Sequence, residues 1–342
     1  MKKLSIIVPC YNIEKYLSRC LDSLINQTLN DIEIICVNDG SPDNCIKIIE
    51  RYKEKYPEKI VVIDKNNEGV WKARRDGIQM ATGKYIGFVD ADDYVTEEFA
   101  EKLYLAIEHS DADIAVCGFD RIDVDTNKLY SKEMCQSRKD INMELNPEKI
   151  LCVNTAQWNK IYKKELLQDM YDLQEPPQIL EDVLFLLLAY ANTKKISFVP
   201  EPLYKYMVRT DSAMSTVRES QIKSIYQGFL QVRNVYECNA KRYVSVIDLM
   251  AFLHLGISLM FRLSYDKNCN LKEKISINTI FLKENFPTWK NSKYLKLSYM
   301  KNNGFENIKL WIVCWVYKFH AFRLFISMYR FMITRLKIDI KW

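Results

Sequence analysis

The first 120 residues alternate between two hydrophobic periods. Runs at Leu4–Val8, Ile32–Val37, Ile60–Ile63, Tyr85–Val89 and Ile114–Cys117 are short and continuously apolar, the pattern of strands buried on both faces. Between them, Glu14–Gln27, Pro42–Tyr56, Val70–Ala81 and Thr96–His109 carry apolar residues at helical spacing. Strand–helix alternation predicts right-handed crossovers and a mostly parallel sheet covered by helices, an α/β fold. Ligands on such sheets bind beyond the carboxyl ends of the strands.

From Phe119 to about Leu145 the pattern is irregular, with a turn expected at Asp123–Lys128. Short helices are expected at Asn146–Val153 and Lys163–Met170, a longer one at Ile179–Ala191, and strands at Ile196–Val199 and Leu203–Val208. Beyond Val217 the chain reads as almost wholly helical, including an apolar stretch at Ile247–Leu263 and an aromatic tail at Leu310–Leu336. The boundary is soft, near Ser215–Ser220, and divides an α/β domain over 1–215 from a helical region over 216–342.

Composition narrows the class. An apolar fraction of 48% over 342 residues is enough for a sizeable core. The net charge of +5 is concentrated: Lys309–Trp342 holds seven basic residues and one acidic, +6, which leaves about −1 for the rest. No general nucleic-acid-binding surface is indicated. Ten cysteines without a C-x-x-C pair argue against structural zinc and suit a reducing cytosol. The N-terminal apolar stretch is too short for a signal peptide and reads as the first strand. With no uncharged apolar run of membrane-spanning length, no transmembrane helix is expected. His109, His254 and His320 are scattered without metal-ligand spacing, and His254 reads as a core histidine.

The candidate chemistry gathers after the strands. Tyr85–Val89 runs into Asp90-Ala91-Asp92-Asp93. Carboxylates packed this closely repel unless a cation or proton neutralises them. An Asp-x-Asp there suits Mg²⁺ or Mn²⁺ with substrate phosphates, against the plainer reading of an acidic loop capping the next helix. Asn38-Asp39-Gly40-Ser41 either offers Asp39 to a base N–H or forms a turn and helix cap. Arg74 or Arg75 can reach a diphosphate or order Asp90, or else sits on a solvated helix face. Glu181-Asp182 opens an apolar helix, where a carboxylate is favoured by the dipole and can also serve as a general base.

Taken together, these residues resemble the family 2 glycosyltransferases of the GT-A fold. The matching pieces are Ser5–Asn12, Val37–Ser41, Asn67-x-Gly69, Ala73-Arg74-x-x-Gly77, Ala81–Tyr85 and Phe88–Asp93. Trp158–Lys160, Glu181–Phe185 and Leu203–Tyr206 look like the later part of bacterial members. Two departures are Arg75, where Asn is common, and Trp71, where a small residue is usual.

The resemblance implies a Rossmann-like nucleotide-sugar-binding catalytic domain over 1–215 with a helical C-terminal extension. It implies uracil contact by Asp39, nucleotide-pocket walls at Pro9 and Tyr11, and donor contacts by Arg74, Asp90 and Ala91. It also implies metal coordination by Asp92 with Asp90, Mn²⁺ or Mg²⁺ as cofactor, and Asp182 as base with Glu181 as the fallback. The implied reaction is an inverting transfer from a UDP-sugar to a hydroxyl of a glycan or a polyprenyl-diphosphate-linked sugar. A nucleotidyltransferase would want a Gly-rich basic loop where Pro9–Asn12 stands, and a non-catalytic relative would not need all four acids.

Along Leu310–Lys337 the polar residues His320, Arg323, Ser327, Arg330, Thr334 and Lys337 fall at spacings of three and four, one stripe on one helix. A basic stripe on an aromatic helix suits an anionic membrane surface, or packs on the protein instead. The expected location is cytoplasmic, peripheral on the inner face of the cytoplasmic membrane through 309–342.

Overall fold

The computed structural model describes residues 2–167, 173, 177–209, 217, 219–266, 268–305 and 307–336. The predicted helix end at Met170, the boundary at 215–216 and Lys337 lie outside them. The chain divides into two compact units. One is Met1–Asn146, Asn154–Pro176 and Leu184–Ser212; the other is Pro147–Val153, Pro177–Val183 and Ala213–Trp342.

The first unit follows the order β1 (Leu4–Cys10), α1 (Glu14–Ile25), β2 (Ile32–Asp39), α2 (Cys45–Lys55), β3 (Ile60–Lys65), α3 (Val70–Met80) and β4 (Tyr85–Phe88). Then come β5 (Tyr94–Val95), α4 (Phe99–His109), β6 (Ile114–Asp123), β7 (Leu129–Glu133), β8 (Ile141–Asn142), β9 (Lys160–Lys163), α5 (Glu181–Asn192) and β10 (Lys195–Val208). The strands form one mixed sheet in the order β3-β2-β1-β4-β9-β6-β10-β5, with β7 on β6 and β8 on β10. Strands β1 to β4 pair in parallel, as do β6 and β10. Their continuous apolar character is that of strands covered on both faces: β2 is buried along its whole length. Helix α1 seals one face with Leu17, Cys20, Leu21 and Leu24, at spacings of three, one and three.

Four short strands, β5, β7, β8 and β9, were not among the expected elements. The short β9 runs antiparallel between β4 and β6, over Lys160-Ile-Tyr-Lys163 where no strand was predicted. Its first residue, Lys160, is fully buried, and its ammonium donates to Asn154 O, Ala156 O and Asn159 Oδ1 at 2.9, 2.6 and 2.8 Å. The two-residue β5 is too short to carry a period. The predicted strands around Pro202 are one strand, β10, whose register shifts there.

The second unit contains α6 (Glu219–Asn239), α7 (Val244–Ala251), α8 (Met260–Leu263), α9 (Leu271–Asn285), α10 (Leu297–Asn303), α11 (Ile308–Lys318) and α12 (Phe322–Leu336). A π-wound segment, Phe252–Leu259, joins α7 to α8. The resulting helix, Lys241–Leu263, has a mean hydropathy of 2.0 and is long and apolar enough to cross a membrane by length and composition. Asp248 and Arg262 interrupt it, so the sequence holds no uncharged run of that length here. Its most apolar window is 72% buried within the protein, and Asp248 is ion-paired with Arg233 and bonded to Thr288. It forms the core of the helical unit.

The tail is not one helix. After Lys318 the Ala321 N–H bonds to Val316 O and the His320 N–H to Tyr317 O, with His320 at φ +55°. This is a Schellman stop with histidine in the left-handed position that glycine usually fills, so the sequence carried no stop signal. His320 therefore leaves the predicted stripe. Arg330 leaves it too: its guanidinium donates to Ser264 O and lies 4.8 Å from the Tyr265 ring centre. The exposed side of α12 carries Arg323 and Ser327 of that stripe together with Leu324, Met328, Phe331 and Arg335.

Candidate active site

The carboxyl ends of β1, β2 and β4 lie side by side on one sheet edge and bring together Pro9, Tyr11, Asp39, Asp90, Ala91 and Asp92. The first two strand-end loops are tied to each other: the Asn12 N–H donates to Ser41 Oγ at 2.8 Å, and the Glu14 N–H to Asp43 Oδ2 at 2.8 Å. Tyr11 projects from this loop and is 52% exposed, while Pro9 is half-buried.

Asp39 is buried at the end of β2. Its Oδ1 accepts from the Glu68 N–H at 2.9 Å and its Oδ2 from the Gly69 N–H at 2.8 Å. It clamps the loop that opens α3, a role the sequence did not disclose. Gly40 allows the close approach: its φ is +62°, and a Cβ there would stand 2.5 Å from Asn67 N.

One turn into α3, Arg74 is almost fully buried and its Nη2 donates to Asp90 Oδ1 at 2.9 Å. Of the two adjacent arginines, Arg74 faces the acids and Arg75 pairs with Asp76. Trp71, the unusual bulky residue, sits edge-on to Phe185 at 6.5 Å within the core.

The three acids after β4 have three different environments. Asp93 turns inward: Oδ2 accepts from Tyr204 Oη and Oδ1 from the Met207 N–H, both at 2.7 Å. Burial first, then Asp92 and Asp90, push its carboxyl well above the usual range. Tyr204 is in turn stacked on Trp158, which explains that aromatic match as a brace from β10. Asp90 and Asp92 keep 29% and 20% of their side chains accessible. Asp92 Oδ2 pairs with Arg209 Nη2 at 2.9 Å, and its backbone oxygen accepts from Arg19 Nη2 at 3.0 Å. Burial and then Asp90 raise the Asp92 carboxyl, opposed by Arg209 and Arg19.

Arg19 and Arg209 went unread in the sequence. Arg19 sits on α1, and Arg209 lies just past β10; both pack on the Tyr16 ring. Both stand far from the acidic motif along the chain, so no local pattern marked them.

Among the described residues no cluster of three or more His, Cys, Asp or Glu could hold a metal. The donor set is two accessible carboxylates, Asp90 and Asp92. That fits Mg²⁺ or Mn²⁺, which take one or two carboxylates and complete their shell with water and substrate phosphates. All ten cysteines are free.

Glu181 and Asp182 open α5, whose first residues, through Val183, group with the second unit while the rest of the helix groups with the first. They follow Leu180, held at φ +65°. Arg262 of α8 lies beside both: burial lowers its pKa and the two carboxylates raise it.

Residues 5–171 match the family model for glycosyl transferase family 2. The chain is 33% identical over 242 residues to an uncharacterized glycosyltransferase, EpsJ, of Bacillus subtilis (strain 168), across 68% of this chain and 70% of the relative. It is 33% identical over 282 residues to the poly(ribitol-phosphate) beta-glucosyltransferase of Bacillus spizizenii, across 80% of this chain but only 42% of that longer protein. In three dimensions it is similar to residues 1–349 of S. aureus TarS in complex with UDP-GlcNAc, with a TM-score of 0.69 and 23% identity over 89% of each chain. That likeness concerns the GT-A fold, in which an α/β sheet is followed by a helical region. The ordered strand-end motifs, the family match and these relatives agree: the chain is a glycosyltransferase and belongs to glycosyl transferase family 2.

Proposed function

We propose that the protein transfers a sugar from a UDP-sugar to a hydroxyl of a glycan or polyprenyl-diphosphate-linked acceptor, with inversion, in bacterial surface polysaccharide synthesis. The observation that carries this is the pairing of Asp90 with Arg74 and of Asp92 with Arg209 on the sheet edge that also holds Asp39. Acids and guanidinium groups alternate there, which suits a dianionic diphosphate bridged to carboxylates through a cation. The TarS structure supports the UDP-sugar class by analogy, since that protein was crystallised with UDP-GlcNAc.

In this reading Pro9 and Tyr11 wall the nucleotide, and Asp39 offers uracil the remaining lone pairs of a carboxylate already fixed by two N–H groups. Arg74 orders Asp90. Asp90 and Asp92 hold Mn²⁺ or Mg²⁺, which when bound offsets charge developing on the leaving diphosphate. Asp182 removes the acceptor proton as the hydroxyl attacks the anomeric carbon, with Glu181 as the alternative base. One displacement with one base needs no covalent intermediate.

The protein works on the inner face of the cytoplasmic membrane, held through α11 and α12. A screen of nucleotide sugars for binding and hydrolysis by the full chain, with and without Mn²⁺, tests the activity. Preference for a GDP- or dTDP-sugar over every UDP-sugar would overturn the donor assignment.

A further inference from the structure

The α11–α12 elbow and the first half of α9 line an open cleft of about 360 Å³ in the second unit. That is near the lower end of the roughly 300–1,000 Å³ typical of small-molecule sites. Ile275, Ile280, Tyr317 and Phe322 give it apolar lining, Ser276 and Thr279 hydroxyls, and Lys272, His320 and Arg323 basic groups. No acidic residue lines it. Among the described residues, none of the three basic side chains makes a hydrogen bond or an ion pair. The Schellman stop places His320 here, since its left-handed conformation turns the chain back at this point.

Beside the cavity the same helices expose large apolar side chains. Phe319 and Leu324 are 73% and 74% accessible, and Trp315, Met328 and Phe331 are also exposed. Lys318 lies 4.9 Å from the Trp315 ring centre. A face that combines exposed aromatics with basic side chains matches the boundary between lipid headgroups and acyl chains.

We propose that this cavity binds the phosphate headgroup of an anionic membrane lipid, while Phe319, Leu324 and Phe331 enter the acyl layer beside it. The chemistry required is an anionic phosphate on an apolar stem: basic and apolar groups line the same cavity, and exposed apolar side chains stand on the same helices. A nucleotide fits less well, because the cavity offers a base no acidic acceptor. The inference rests on the membrane reading above and makes it specific, from a charged tail to a headgroup site.

The test is sedimentation of the full chain with phosphatidylcholine vesicles, with or without phosphatidylglycerol. The expected result is strong binding only when phosphatidylglycerol is present. Lys272→Gln with Arg323→Gln should reduce that partitioning about 30-fold, given roughly 1 kcal/mol per basic residue at an anionic surface. A control pair on the same unit, Lys283→Gln with Lys301→Gln, removes equal charge from exposed positions outside the cavity and should change it less than about 3-fold. Leu324→Asp should weaken binding to both vesicle types.

Equal losses in the two charge pairs would overturn the headgroup site and leave the membrane reading standing. Failure of the unmodified protein to bind either vesicle would overturn both. Release of bound protein by millimolar inorganic phosphate, at constant ionic strength, would overturn the lipid assignment in favour of a soluble phosphate. All variants lie at exposed positions, so unchanged thermal melting is the expected folding control.

Discussion

Arg209 Nη2 stands 2.9 Å from Asp92 Oδ2, so the residue most suited to hold a cation already carries a guanidinium. Arg209 reaches it from the end of β10, and Arg19 grips the backbone oxygen of the same residue from α1. Two distant parts of the first unit thus fix one aspartate. The arrangement lowers the repulsion between Asp90 and Asp92 and places a cation where a diphosphate would lie.

Asp92→Asn is expected to abolish transfer while the fold survives, because Asp93, bonded to Tyr204 and Met207, still anchors the tip to β10. Excess EDTA should do the same to the unmodified enzyme. Arg209→Gln should cost about 10²–10³ in kcat, the usual loss for one electrostatic donor at a developing charge. Steady-state kinetics with circular dichroism as the folding control check all three. Full activity in EDTA, or with Asn at position 92, would remove the metal from the mechanism.

Asp39→Ala should weaken UDP binding by roughly 1–3 kcal/mol and also lower stability by a similar amount, because the Glu68 and Gly69 N–H groups lose their acceptor. Asp39→Asn keeps one acceptor oxygen and should recover part of the stability. Calorimetry with UDP and urea unfolding measure the two effects separately. A stability loss with unchanged UDP affinity would make Asp39 a loop clamp only.

The parallel half of the sheet was legible because its strands are continuous apolar runs and its helices periodic ones. Asp39, Asp90 and Asp92 were legible as neighbours because parallel strands put their carboxyl ends on one edge. The fate of each acid was not. Whether an aspartate faces solvent or Tyr204 depends on β10, more than 100 residues further along the chain. Arg209 was missed for the same reason. The tail misled in a different way. Periodicity continues through His320, and only backbone geometry, with a non-glycine residue at positive φ, shows that the helix stops.

His254 is buried within the π-wound segment, and burial first, then Arg262, lower its pKa to about 3. The neutral ring is the folded form, while the unfolded chain takes up a proton near pH 6.5. Its contribution to stability is therefore complete above about pH 6.5 and falls as pH drops towards 3, with a slope of at most about 1.4 kcal/mol per pH unit. His254→Phe keeps ring volume and cannot titrate, so it should flatten that decline. Urea unfolding at pH 7, 6 and 5 gives the comparison. Identical pH slopes for the two proteins would show that other groups control acid sensitivity.

Asp182→Asn should lower turnover about 10²–10⁴-fold, the range for a lost general base, and leave UDP affinity nearly intact. The base touches the acceptor hydroxyl and not the nucleotide, so kcat and donor binding should separate. Arg262 sharpens the prediction. It lies beside Glu181 and Asp182, and a guanidinium there favours the ionised carboxylates that a base requires. Arg262→Met keeps much of the apolar stem and removes the charge. It should move the acidic limb of the kcat–pH profile upward, because the base would then ionise at higher pH. Removing the base itself should lower the whole profile without such a shift. If Glu181→Gln is the inactive variant and Asp182→Asn is not, Glu181 is the base. If both remain active and Arg262→Met leaves the profile in place, the proton goes to neither.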